Sequence, residues 1–113
     1  MNERELLAVV SSNVRRYRLC GRWSQAVLAE KTGISTNFLS DIETGKKWPS
    51  ILTMIKFAEV FSIEVYELLK PEGLLPDNSS HVISRYTQEV LAVITKSVEN
   101  VETKYISQMK RPS

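Results

Sequence analysis

Between Trp23 and Pro49, two short helix-forming segments are joined by a tight Thr-Gly-Ile turn, and this stretch constrains the fold more than any other. Ser24 suits the N-cap of the first segment, because its hydroxyl accepts a bond from an otherwise unpaired first-turn amide. Val27 and Leu28 supply apolar contacts, and Ala29 is small enough for another helix to cross closely. Gly33 falls where that helix must stop and where the backbone often turns to positive φ, which glycine adopts without a Cβ clash. Ser35 caps the second segment and Gly45 ends it.

The second segment divides cleanly when its residues are placed about 100° apart around a helix axis. Phe38, Leu39 and Ile42 gather on one side, while Thr36, Asn37, Ser40 and Asp41 gather on the other. A helix exposed only for stability would favour Glu, Lys and Arg, which have better helix propensity. Four short hydrogen-bonding side chains on one face therefore imply another use.

These residues resemble the helix-turn-helix of the Cro/C1-type repressors, the XRE family. The shared pattern is Ser24-Gln25, Leu28-Ala29, Gly33-Ile34-Ser35, Leu39-Ser40, Glu43, Gly45-Lys46 and Pro49-Ser50. The likeness runs over five expected helices from about Val14 to Leu69 and leaves the C-terminal stretch outside it. One departure is Arg22, which stands where the family usually has glycine, with Gly21 one place earlier.

The resemblance implies an all-α, five-helix, lambda-repressor-like domain whose second helix-turn-helix segment enters the major groove of double-stranded DNA. By similarity, Thr36, Asn37 and Asp41 are the expected base readers, with Ser40 a weaker one. Asn suits bidentate contact with adenine and Asp accepts from cytosine N4. Gln25, Ser35, Arg22 and the amides of Lys46 and Lys47 are the expected phosphate contacts. Arg18 stands where the family has an arginine paired with the glutamate ending the reading helix, here Glu43; a phosphate contact is its alternative role. Phe38, Trp23 and Trp48 are expected in the core.

Net charge is only +2 over 113 residues, too little to argue for nucleic acid alone. Its distribution says more. Seven basic residues face three acidic ones between Arg15 and Lys47, whereas beyond Pro71 the numbers are five and five. The positive charge surrounds the expected reading helix.

The first helix is expected from Asn2 to Leu19, with Leu6, Leu7, Val10, Val14 and Tyr17 on one stripe. Pro49 and Ser50 open a fourth helix, with Ile51, Leu52, Ile55, Ala58 and Val60 on its buried side and Met54, Phe57 and Phe61 adding bulk. A fifth helix is expected from Ile63 to Leu69, closing a DNA-binding domain over residues 1–70. Two prolines, a glycine and a polar cluster make residues 71–81 a linker. From residue 82 the spacing predicts one long helix, and the domain so defined runs over 82–113. Its stripe is Ile83, Tyr86, Val90, Ile94, Val98, Val101, Tyr105 and Met109. Such a helix would span ~40 Å at 1.5 Å per residue. Pairing with a second copy is the expected cover for the stripe, with folding back on the same chain as the alternative.

The expectation is a homodimeric, sequence-specific transcriptional regulator, a repressor or autoregulator at a pseudo-palindromic operator. A phage-type repressor and a restriction–modification controller are both open. The alternative is an antitoxin or co-regulator that binds another protein through its C-terminal helix. No enzyme, cofactor, metal, membrane segment or small-molecule ligand is expected. The lone His81 lies in the linker with no nucleophile and base around it. Lone Cys20 reads as a reduced thiol of a cytoplasmic protein.

Overall fold

A computed structural model describes residues 1–72 and 85–97. Those residues are helical throughout apart from turns and loops, with no strand among them. The order is α1 (Glu3–Cys20), α2 (Gln25–Thr32), α3 (Thr36–Glu43), α4 (Ile51–Phe61) and a 3-10 helix (Val65–Leu69). Residues 85–97 are also helical. The chain divides into two compact units, one spanning Arg4–Leu74 and the other holding the 85–97 helix.

The serine signals act as local chemistry requires. Ser24, Ser35 and Ser50 each hold extended backbone and accept, through the hydroxyl, from the amide three residues on. At the far end of α2, Gly33 has φ +71°, and the amide of Ile34 reaches back to the Ala29 carbonyl at 3.0 Å. Helix α2 therefore stops in one residue, and Ser35, two residues after Gly33, already caps α3.

Val10, Val14, Leu28, Ala29, Leu39, Ile42, Met54, Phe57 and Leu68 form the core of this unit. Phe61 stacks on Tyr17, Trp23 and Phe57 at ring-centroid distances of 5.4, 6.1 and 5.9 Å. Trp23, Phe38 and Trp48 pack against the core as expected. Val27 does not, for it lies on the exposed side of α2.

Two elements also depart from expectation. The fifth helix is a 3-10 helix of five residues, not an α-helix from Ile63. Glu64 is extended at its start, its amide donating to the Glu67 carboxylate at 2.9 Å, so helical geometry begins only at Val65. The buried side of α4 is also rotated from expectation. Thr53, Met54, Phe57 and Ala58 are buried, while Ile51 and Leu52 are 79% and 62% exposed and Ile55 also faces out. At about 100° per residue Thr53, Met54, Phe57 and Ala58 share one face, which turns Leu52 and Ile55 away from the core and leaves Ile51 at its edge in the first turn.

One side chain ties the ends of the unit together. Asn13, buried in α1, donates its amide to the carbonyls of Leu68 (2.9 Å) and Lys70 (2.7 Å), with a longer contact to Glu67. These are carbonyls that the end of a 3-10 helix leaves unpaired. The Asn13 oxygen accepts from Arg16 Nη2 at 3.0 Å, so this buried amide is satisfied at both ends.

Candidate nucleic-acid interface

Helix α3 is anchored from beneath. Leu39 and Ile42 are buried and Phe38 packs at the core edge, which leaves the opposite face to solvent. Thr36 and Asn37, in its first turn, are exposed; Ser40 and Asp41, one turn on, are half-buried. The four side chains that the sequence assigns to one face thus lie on the outer side of α3, with the N-terminal pair projecting furthest.

Anchoring of the far end of α3 is electrostatic. Arg18 Nε and Nη2 donate to the two Glu43 carboxylate oxygens at 2.8 and 3.0 Å, and Nη1 donates to the Trp23 carbonyl at 2.9 Å. The Glu43 side chain is only 3% exposed, so this bidentate pair is a partly buried lock between α1 and α3. Three Arg18 nitrogens are used within the chain, which favours the structural role over a phosphate contact.

Gln25 joins the same lock, its Nε2 donating to Glu43 Oε1 at 3.2 Å. The residue that opens α2 is therefore oriented by the residue that closes α3. Its remaining amide hydrogen and oxygen stay available. Ser35 uses its hydroxyl oxygen as the α3 cap.

The loop after α3 differs from expectation in one respect. The amides of Lys46 and Lys47 both donate to the Asp41 carbonyl, at 2.8 and 3.2 Å, while Gly45 turns the chain at φ +75°. They satisfy a carbonyl of the helix end and are already engaged, so any phosphate contact there falls to the two exposed ammonium groups. Lys47 Nζ also lies 3.4 Å from Asp41 Oδ2. This pair was not legible in the sequence, although a separation of six residues across a glycine turn permits it. It places a positive charge beside the Asp41 carboxylate on the outer side of α3.

Arg22 is exposed and holds φ +59°, the left-handed conformation that glycine favours. The turn into α2 therefore keeps a glycine-like backbone despite the substitution. Gly21 explains why the neighbours cannot simply exchange. A Cβ there would lie 2.9 Å from the Trp23 ring, which packs on the core.

The C-terminal stripe is only partly within the described residues. Tyr86 is half-buried, and its phenol pKa is raised by burial and by the nearby Glu89 charge. Val90 is buried, while Leu91 and Ile94 are 55% and 41% exposed. Ile83, Val98, Val101, Tyr105 and Met109, together with most of residues 71–81, lie outside the described residues. Among those described, no helix is long and apolar enough to cross a membrane, and no cluster of His, Cys, Asp and Glu could hold a metal.

Comparison with known proteins agrees with this arrangement. The helix-turn-helix family profile HTH_3 matches residues 14–68, which spans the end of α1 through the 3-10 helix. A hypothetical transcription factor of Neisseria meningitidis serogroup B is 35% identical over 71 residues, covering 62% of this chain and 66% of the relative. Control protein C.SmaI of Serratia marcescens is 32% identical, covering 62% of this chain and 83% of that protein. The crystal structure of the restriction-modification controller protein C.AhdI from Aeromonas hydrophila superposes with a TM-score of 0.53 at 27% identity, over 55% of this chain and 94% of that one. A chain with this core, these caps and these relatives belongs to the XRE-type helix-turn-helix family of DNA-binding transcriptional regulators.

Proposed function

We propose that this protein is a homodimeric, sequence-specific regulator of transcription in the cytoplasm, acting as a repressor or autoregulator at a pseudo-palindromic operator. The observation that carries the reading is α3 itself, a helix clamped at one end by Arg18–Glu43 and exposing Thr36 and Asn37 at the other. Reading begins with Asn37, whose amide matches adenine N6 and N7, and with Thr36, whose methyl suits thymine. Asp41 accepts from cytosine N4 and is tempered by Lys47; Ser40 adds a shorter contact. Gln25, Ser35, Arg22 and the Lys46 and Lys47 side chains hold the backbone and set the register. Two copies double this surface, and half-sites one helical turn apart, about 34 Å, follow from such pairing.

The similarity to control proteins favours a controller of restriction and modification genes over a phage repressor. Selection of bound sites from random duplexes tests the function directly. The expected outcome is an inverted repeat with adenine under the Asn37 position. Enrichment of no sequence, with co-purification of a second protein, would instead support an antitoxin or co-regulator that works through the C-terminal helix.

A further inference from the structure

A cleft of about 850 Å³ opens between α1 and the end of α3, and the function above makes no use of it. Arg4, Arg15 and Arg16 line it, together with Ser11, Gly45 and Glu72. Its size is that of a small-ligand pocket.

Four features make it more than a charged surface. Ser11 is 5% exposed, yet its hydroxyl has no hydrogen-bond partner. Arg16 is fixed in place, with Nη2 on Asn13 and its guanidinium carbon 4.4 Å over the Tyr17 ring, while its buried Nε also makes no hydrogen bond. The Glu72 carboxylate, itself 71% exposed, lies 3.6 Å from that Nε, within ion-pair distance but too far to accept a hydrogen bond from it. Arg4 and Arg15 have no carboxylate within ion-pair distance among the described residues. Glu43, the other acid on the cleft, is already held by Arg18 and Gln25. A buried hydroxyl is normally paired, and an unpaired one on the same cleft as two guanidinium groups without a carboxylate partner, those of Arg4 and Arg15, awaits an acceptor.

We propose that this cleft is a phosphate-binding site. Arg4, Arg15 and Arg16 grip the oxygens, Ser11 donates to one of them, and Glu72 gives way as the weaker anion. Three guanidinium groups offer more N–H donors than the two oxygens of a carboxylate can accept, whereas the peripheral oxygens of a phosphate match them. Gly45, at φ +75°, lies against this hydroxyl, where an added Cβ would stand 3.7 Å from Ser11 Oγ. The phosphate has two sources, a backbone phosphate of DNA flanking the half-site or a small phosphorylated effector.

Calorimetric titration of the full chain with inorganic pyrophosphate tests the site without reliance on the DNA-binding reading. Saturable binding is expected, weakened about tenfold or more by Arg15→Gln and by Ser11→Ala, each the loss of a hydrogen bond to a charged group. Glu72→Gln should tighten it, and Lys31→Gln, the same loss of charge outside the cleft, should leave it unchanged. Competition by pyrophosphate against operator DNA, lost in Arg15→Gln, would identify the backbone as the source; a filled cleft with unchanged DNA affinity would identify a free phosphate compound. No saturable binding, or equal weakening by Arg15→Gln and Lys31→Gln, overturns the proposal.

Discussion

Three residues decide more than their size suggests. Asn13 satisfies the carbonyls closing the 3-10 helix, and Asn13→Ala leaves that of Leu68 buried and unpaired and that of Lys70, part-buried, without its donor. Unmade buried hydrogen bonds cost about 1–3 kcal/mol each group, so urea unfolding should show a loss of at least about 2 kcal/mol. Arg22 sits in the left-handed region, which costs a residue with a Cβ about 1–2 kcal/mol. Arg22→Gly should therefore stabilise the chain by roughly 0.5–1 kcal/mol once the greater flexibility of unfolded glycine is counted. The same denaturation series checks both signs. Arg18 differs again, because its loss strands the nearly buried Glu43 charge. Arg18→Met should destabilise by about 3 kcal/mol, and Arg18→Met/Glu43→Leu together should recover part of that loss. Of these three roles, only the Arg18–Glu43 pairing was legible in the sequence, through its family resemblance. Asn13 was invisible because an asparagine inside a helical pattern does not say which distant carbonyls it will meet.

At the scale of elements, the caps and stops were the most readable features. Ser24, Ser35, Ser50 and Gly33 act through bonds that span three to five residues, so local sequence contains the whole interaction. Orientation of α4 was less readable. Ile51, Leu52, Met54, Ile55 and Phe57 crowd one short helix with more apolar residues than one face can hold, and only the tertiary position of Phe57 and Met54 in the core decides which face turns in. The exposed remainder, Ile51 and Leu52 with Ile55, is a second apolar surface available for association. Type of helix was also hidden at residues 65–69, where Asn13 and the Glu67 carboxylate stabilise a 3-10 turn that periodicity cannot tell from α. On α3 the outward face was legible, yet the engagement of the Lys46 and Lys47 amides with Asp41 was not, since it depends on how Gly45 turns.

For the molecule as a whole, assembly and reading are separate claims. Two exposed apolar surfaces are candidates for the interface of the proposed dimer: Leu91 and Ile94 on the C-terminal helix, and Ile51 with Leu52 on α4. Light scattering on the full chain separates them. Leu91→Glu/Ile94→Glu should give monomers, because a buried unpaired charge is costly, while Ile51→Glu/Leu52→Glu should remain dimeric; the reverse result moves the interface to α4.

The central claim is that α3 reads sequence while the lysine loop supplies sequence-independent affinity. It is tested most directly by measuring duplex affinity against salt for Asn37→Ala and Lys46→Ala, on matched and scrambled sites. Asn37→Ala should cost about 1–3 kcal/mol on the matched duplex alone, with the salt slope unchanged. Lys46→Ala should weaken both duplexes and flatten the slope of log K against log salt by about 0.9, the release of one phosphate contact. Equal weakening of both duplexes by Asn37→Ala, with an altered salt slope, would contradict the account.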